Sequence, residues 1–350
     1  MMMPLLGVLL GLVLVTMAHC GNPFHLGICV ACFLRDVSGS LGFHSFADGQ
    51  YMRPEMPGLV LGAFIVSMFK KEFEAKGGSA PLTRFVLGIC IIVGAFIFLG
   101  CPTSMLLRMA RGDLNALVGL LGFVVGVLCG MFFLNKGYSL GRTHSVSKSD
   151  GVVLPVISIL LLAAVLFAPS LLNFSEAGFA SFRAPIFISL AGGMIIGGIA
   201  FTSRLCTVAA IRDSVFFRNF SMLFTVLAML TVVIIYNLIS GVFTLGFDVP
   251  YAHSDGLWNF LGLALVGFIA VLIGGCPLRQ LMLAGSGNSD ATVTVFGMSV
   301  GSALVHNFSL ASTPAGISDR GPVGFTIAAA IAISIAVYNT FFNRNLSAAK

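Results

Sequence analysis

Residues 100–102 read Gly-Cys-Pro, and the same three residues return at 275–277. Each copy follows a long apolar run, so each marks a break in a helix followed by a new start. Proline suits the first turn of a helix, where its missing N–H leaves no hydrogen bond unmade. The pattern therefore predicts a short helix that begins directly after Cys101 and another that begins after Cys276.

A second motif also occurs twice. Cys29 is followed at 35–36 by Arg-Asp, and Cys206 is followed at 212–213 by the same pair. The two motifs recur in the same order at nearly one offset, 177 residues (206 − 29) and 175 residues (276 − 101). This self-similarity predicts two related halves.

The predicted division of the chain follows from this repeat. Residues 1–135 form the first repeat, 136–150 a polar connector, 151–343 the second repeat with additional helices, and 344–350 a C-terminal tail.

The composition indicates a membrane protein. The chain has 350 residues, of which 57% are hydrophobic and only 9% are charged. Soluble domains carry about 25% charged residues, because a surface in water needs them. A nucleic-acid partner is not indicated by the net charge of +6, since the basic residues fall in short loops, where they set membrane topology.

About nine to ten transmembrane helices are expected, since a span needs about 20 mainly apolar residues. The candidate spans are 4–19, 56–69, 85–100, 114–134, 152–173, 184–202, 220–246, 257–275, 291–308 and 323–342. The fold class is therefore all-α integral membrane, with re-entrant half-helices at the cysteine motifs.

Charged loops predict the orientation. Basic residues follow the second, fourth and last spans, namely Lys70, Lys71, Lys76, Arg84, Lys136, Arg142, Lys148, Arg344 and Lys350. Of the opposite loops, those at 173–183, 246–256 and 309–322 hold little positive charge, namely Arg183 and Arg320. Both termini are therefore expected in the cytoplasm. Five spans separate the two copies, which predicts inverted repeats with a site near the bilayer midplane.

Cysteines are the candidate functional residues. Helix N-termini carry unpaired N–H groups and partial positive charge, which attract anions. Irregular backbone at membrane depth occurs only where it is buried in protein or lines a cavity. Thiols are soft and polarizable and suit a substrate with an exposed sulfur or selenium atom. The predicted substrate pathway comprises Cys29, Cys101, Cys276 and Cys206.

Secondary candidates lie in the motif that runs from a cysteine to an Arg-Asp pair and in its repeat, namely Cys32, Arg35, Asp36, Arg212 and Asp213. The charged pairs are expected to be mainly structural. Cys29-x2-Cys32 has a redox or metal spacing, but Ala209 replaces the second cysteine in the other half. Neither a metal nor another cofactor is predicted, and Cys90 and Cys129 are expected to be packing residues inside spans.

The sequence at 19–23 and 27–36, together with the two Gly-Cys-Pro motifs at 100–102 and 275–277, resembles the YeeE/YedE family, and its longer first motif resembles the selenium-associated YedE branch. The resemblance covers both halves. It implies an inner-membrane transporter with an hourglass of inverted repeats, associated with thiosulfate uptake or selenium metabolism. The family's pathway cysteines would correspond to Cys29, Cys101 and Cys276, with Cys206 in the remaining repeat position.

The predicted function is a multi-pass transporter or channel of the bacterial inner membrane for a small sulfur- or selenium-containing anion such as thiosulfate or selenite. It is not expected to be an enzyme, and the chain lacks the phosphate-binding motif G-x-x-x-x-G-K-[ST]. Two alternatives are a membrane thiol relay that delivers sulfur or selenium as a persulfide to a cytosolic acceptor, and a structural membrane subunit. Expected partners are the anion, the lipid bilayer and a small cytosolic sulfur-carrier protein.

Overall fold

The computed structural model of the chain describes residues 2–24, 26–176 and 178–342. Within these ranges the regular structure is almost entirely helical, and the one sheet pairs two strands of two residues each. The predicted all-α fold is confirmed. The predicted tail at 344–350, including Arg344 and Lys350, lies outside the described residues.

The first half contains four long and two short helices: α1 (Met2–His19), α2 (Val30–Ser40), α3 (Glu55–Phe69), α4 (Pro81–Phe98), α5 (Pro102–Met109) and α6 (Leu114–Asn135). A 3₁₀ turn, Ala47–Gly49, lies between α2 and α3. The short helices α2 and α5 are the ones that follow Cys29 and Cys101 directly.

The second half repeats this order after the linking helices α7 (Lys148–Gly151) and α8 (Val153–Phe167). It comprises α9 (Ile186–Ser203), α10 (Thr207–Phe216), α11 (Ser221–Ile239), α12 (Gly256–Leu272), α13 (Pro277–Gly285) and α14 (Ser289–Asn307). A last helix, α15 (Gly321–Val337), continues into a π-helical turn at Tyr338–Phe342. Two 3₁₀ turns, Pro169–Leu171 and Phe179–Ser181, lie between α8 and α9.

The two halves pack on each other through matched glycine contacts. On α6, a Cβ added at Gly126 would collide with the carbonyl of Ala264 on α12. On α14, a Cβ added at Gly301 would press on the backbone of Ile89 on α4. All four positions obey the same offset of 175 (301 − 126 and 264 − 89). Small residues allow such close approach of membrane helices. Each half therefore contributes one helix that presents a glycine, α6 or α14, and one helix whose backbone packs against the glycine of the other half, α4 or α12.

Seven helical segments of the described chain are long and apolar enough to cross a membrane: Met2–His19, Pro81–Met109, Leu114–Asn135, Ile186–Phe216, Ser221–Ile239, Gly256–Gly285 and Gly321–Phe342. Three of these combine a long helix with the short helix that follows it. Predicted spans at 56–69 and 152–173 coincide with shorter apolar helices of 15 residues. The span predicted at 291–308 coincides with α14, which is less apolar. The protein is a multi-pass membrane protein.

The connector joins the loop after α3. Strand β1 (Lys76–Gly77) pairs antiparallel with β2 (His144–Ser145), and both lie at the end of the helices where the basic loops meet. This contact holds the connector against the first half.

One minor expectation is wrong. Cys90 is buried as predicted, but Cys129 is exposed on the outer side of α6. Position 129 follows α6 residues that point to lipid, such as Val125 and Leu128, and its thiol does not contribute to core packing.

Candidate functional site

Two cysteines of the first half meet at the beginnings of α2 and α5. Cys29 precedes α2 as its N-cap and Cys101 precedes α5 in the same way, and both are buried. The backbone N–H of Cys101 donates to the Cys29 sulfur over 3.4 Å, and the N–H of Cys32 donates to the same sulfur over 3.4 Å. The Cys29 sulfur therefore receives donors from the N-termini of both short helices.

Thr103 holds the second thiol of this first pair. Its hydroxyl donates to the carbonyl of Ile28 over 2.9 Å and lies 2.8 Å from the Cys101 sulfur. Because the one hydroxyl proton is used by Ile28, the Cys101 thiol is the donor in the shorter contact. This arrangement requires Cys101 to carry its proton.

The second half builds the same pair. Cys206 and Cys276 are the N-caps of α10 and α13, and both are buried. The N–H of Cys276 donates to the Cys206 sulfur over 3.4 Å. The N–H groups of Val208 and Ala209 also point at this sulfur, and Ala209 is the repeat counterpart of Cys32.

A left-handed residue stands two positions before each of the four cysteines. These residues are Gly27, Leu99, Arg204 and Gly274, with φ of 30°, 64°, 54° and 88°. At Leu99, Arg204 and Gly274 the left-handed backbone ends the preceding helix and reverses the chain, whereas Gly27 lies in the turns between α1 and α2. In all four cases the next two residues bring the cysteine to the start of the following helix. Pro102 and Pro277 complete two of the four turns as first-turn prolines.

A cavity lies near each pair: Cys32 and Leu99, close in sequence to Cys29 and Cys101, line the first, and Cys206 itself lines the second. The first cavity has a volume of about 170 Å³ and is lined mainly by apolar and aromatic side chains: Leu26, Cys32, Arg35, Phe46, Asp48, Phe96, Leu99, Phe179, Tyr251, His306, Ser312, Thr313 and Pro314. The guanidinium of Arg35 lies 5.8 Å and 5.9 Å from the ring centres of Phe46 and Phe96. This cavity therefore offers one cation in an aromatic setting.

The second cavity is larger and more polar, with a volume of about 450 Å³. It is lined by Met3, Ser203, Arg204, Cys206, Val208, Ala209, Arg212, Asp213, Asn219, Ser221, Met222, Gly274, Gly275 and Arg279. Four residues of the first cavity have repeat counterparts in this lining, namely Leu26/Ser203, Cys32/Ala209, Arg35/Arg212 and Leu99/Gly274. The two cavities are thus equivalent places in the two halves.

The cavities lie at opposite ends of the helices. Met3, at the start of α1, lines the second cavity, and Leu26, after the end of α1, lines the first. The 18 residues of α1 span about 27 Å at a rise of about 1.5 Å per residue. His306, near the end of α14, also lines the first cavity.

The two predicted Arg-Asp pairs have different surroundings. Asp36 is fully buried and binds both Arg35 and Arg53, each at 2.7 Å. Arg212 and Asp213 pair at 2.8 Å with 37% and 24% of their side chains exposed. Asp36 therefore ties α2 to the segment before α3, whereas Asp213 makes only a local pair.

Several residues at the site carried no distinctive sequence signal. Thr103 and Arg53 act through contacts with distant segments, and Arg204 and Arg279 line the second cavity from two different helices' ends. Arg108 belongs to the first Gly-Cys-Pro segment. Its guanidinium pairs with Asp113, the N-cap of α6, at 2.7 Å and donates to the carbonyl of Phe98 over 3.0 Å, which joins the end of α5 to the start of α6 and to the end of α4.

No group of three or more His, Cys, Asp or Glu side chains that could hold a metal ion occurs among the residues the structure describes. All eight cysteines are free thiols. The Cys29-x2-Cys32 spacing serves here to cap a helix, since the Cys29 sulfur accepts the Cys32 N–H.

Comparison with known proteins gives one family match. A family model described as sulphur transport matches residues 202–344, which include α10 to α15 and both cysteines of the second pair. No curated protein matches the chain.

Proposed function

Since residues 202–344 match the sulphur transport family model, we propose that the chain carries a small sulfur- or selenium-containing anion across the bacterial inner membrane, with its four helix-capping thiols along the path. Membrane helices and family together make the protein a sulfur-related membrane transporter. The substrate and the role of the thiols are the proposal.

The observation that supports the path best is the repetition of one arrangement. In each half, two buried cysteines cap two short helices, and the amide of the later cysteine donates to the sulfur of the earlier one. In each half a cavity reaches residues next to this pair, Cys32 in the first half and Cys206 itself in the second, and the two cavities lie at opposite ends of α1. An ion entering one cavity would meet one pair and then the other before reaching the second cavity.

The chemistry of this path suits a soft anion. Four helix N-termini direct partial positive charge toward the cysteines. A neutral thiol adds a polarizable surface and a weak hydrogen-bond donor without adding negative charge. In a low-dielectric path a thiolate would repel the anion, and the Thr103 contact keeps Cys101 protonated. These features favour passage of the anion over a covalent persulfide relay.

The direction of the path follows from the basic loops. The second cavity adjoins the end of the protein that carries Lys71, Lys76 and Lys136, which we assign to the cytoplasm by the positive-inside rule. The first cavity then opens outward. The placement of the two equivalent cavities at opposite ends of α1 supports an inverted relation of the two halves, an arrangement common among secondary transporters.

Uptake by purified protein in liposomes tests the proposal. Labelled thiosulfate, selenite and sulfate would be supplied to wild-type protein and to Cys29→Ser, Cys101→Ser, Cys206→Ser and Cys276→Ser, with the lipid-facing Cys129→Ser as matched control. We expect at least a tenfold loss of thiosulfate or selenite uptake in the four pathway variants and none in the control. Normal uptake in all four would eliminate the thiol path, and no uptake by wild-type protein of any of the three anions would overturn the proposed substrate class.

A further inference from the structure

We propose that Arg204 and Arg279 form an oxyanion-binding site at the cytoplasmic mouth, beside Cys206. The identity of its ligand, a small divalent oxyanion of sulfur, rests on the proposed function. The evidence for the site itself is that both arginines line the same cavity and that neither pairs with a carboxylate of the described residues.

Both arginines line the second cavity and also a cavity next to it, here called the adjoining cavity, of about 440 Å³. Arg279 lies within electrostatic range of Arg204 and of both Cys206 and Cys276. Two guanidinium groups and the Cys206 thiol therefore line one water-accessible space.

Neither arginine has a carboxylate partner among the described residues. Four other arginines of the helix-break regions do, namely Arg35, Arg53, Arg108 and Arg212. The Nη1 atom of Arg279 is buried and makes no hydrogen bond to any described residue. A buried guanidinium N–H without an acceptor is costly, and an anion in the cavity would supply the acceptor.

Nearby acidic side chains do not neutralise the pair. Asp213, in the second cavity, is bound to Arg212. Glu74, in the adjoining cavity, is bound to Lys76. Glu72 also lines the adjoining cavity but makes no ion pair with a described residue, and Lys71 offsets its charge. The excess positive charge at this mouth therefore comes from the two arginines.

The repeat does not require arginine at either position. The counterparts in the first half are Gly27 and Ser104, at the same offsets as the cysteine motifs. Arg204 adopts a left-handed conformation (φ 54°) that Gly27 supplies with no side-chain penalty. Gly275 leaves room for the Cγ of Arg279, because a Cβ there would lie 2.8 Å from it. The charged pair is a feature of this mouth alone.

Arginine geometry indicates the ligand. The guanidinium fork binds two oxygens of one oxyanion at once. A sulfur oxyanion held by its oxygens at Arg204 and Arg279 would present its remaining atom toward Cys206. Thiosulfate, with oxygens at one end and a bare sulfur at the other, fits both parts of this site.

Equilibrium binding in detergent tests the site without transport. Calorimetric titration with thiosulfate, and separately with sulfate, would compare wild-type protein with Arg204→Gln, Arg279→Gln and the double variant. Arg142→Gln, an exposed arginine of the connector on the same membrane side, is the matched control. We expect at least tenfold weaker thiosulfate binding in each single variant, loss of measurable binding in the double variant, and less than a twofold change in the control.

Further measurements distinguish failure of the binding site from misfolding of a variant and from failure of the proposed function. Each variant must elute as wild-type protein on size exclusion, and the exposed Arg204 tests the site even where Arg279→Gln misfolds. Wild-type affinity in the double variant would overturn the site, whatever the uptake assay shows. Arginine-dependent binding in a protein that transports no sulfur or selenium anion would overturn the proposed function and leave the site standing.

Discussion

The backbone N–H of Cys101 donates to the sulfur of Cys29 over 3.4 Å, although 72 residues separate them. The second half repeats the contact between Cys276 and Cys206 at the same distance. In both cases the N-terminus of one short helix is fixed to the N-cap of another. The two helix ends, and with them their partial positive charges, are thereby held at one point.

Thr103 is expected to matter through its hydroxyl. Thr103→Val keeps the shape but removes the donor to Ile28 and the acceptor for the Cys101 thiol. Leaving these buried groups unpaired costs about 1–3 kcal/mol, so the variant should melt earlier and lose several-fold in thiosulfate uptake. Thr103→Ser keeps the hydroxyl and serves as control. Equal uptake by the valine and serine variants would contradict a role for this hydroxyl in holding Cys101.

Cys32 and Cys206 should each react with a thiol reagent from only one side of the membrane. In chains that keep a single cysteine, with the other seven changed to serine, a membrane-impermeant thiol reagent should label Cys32 from outside and Cys206 from the cytoplasmic side. The reason is that Cys32 lines the first cavity and Cys206 the second.

Right-side-out vesicles expose the outer face of the protein to the reagent, and inside-out vesicles expose the cytoplasmic face. A chain keeping only Cys129, which faces lipid, should react poorly from either side. Labelling of Cys32 and Cys206 from the same side would refute the assignment of the cavities to opposite faces.

Stability should depend strongly on Asp36 and weakly on Asp213. Asp36→Asn leaves Arg35 and Arg53 without their buried carboxylate, a loss that typically costs about 3–5 kcal/mol. Asp213→Asn removes an ion pair that is partly exposed, worth about 1 kcal/mol or less. Thermal unfolding of both purified variants in detergent measures the difference. Similar melting temperatures for the two variants would show that the buried pairing contributes little.

The glycine contacts between the halves predict a matched pair of defects. Gly126→Ala and Gly301→Ala each push a methyl group into the backbone of a crossing helix, at Ala264 and Ile89. Overpacking of this kind costs about 1–3 kcal/mol. Gly256→Ala is the control, because an added Cβ there meets only Val118 at 4.0 Å. The melting temperature in detergent should fall for the first two variants and stay near wild type for the third, and a fall of equal size in all three would argue against the crossing.

Much of the fold could be read from the chain. The scarcity of charge required a lipid-facing surface, and the Gly-Cys-Pro segments required a helix to end and another to begin. The short helices at Pro102 and Pro277 lie where this reasoning placed them. Helix bounds differed by a few residues, because fraying and left-handed caps such as Leu99 depend on neighbours rather than on hydropathy.

The sequence by itself determined the repeat, the membrane class and which residues begin the four short helices, because these depend on local composition and on spacing along the chain. Only the tertiary structure decided that Cys29 meets Cys101 and Cys206 meets Cys276. It also decided that Arg53 shares Asp36, and that Arg204 and Arg279 reach one cavity in which neither pairs with a carboxylate of the described residues. Such pairings depend on how distant helices cross. One turn of a helix moves a side chain by about 5.4 Å, which is more than a hydrogen bond or an ion pair can span.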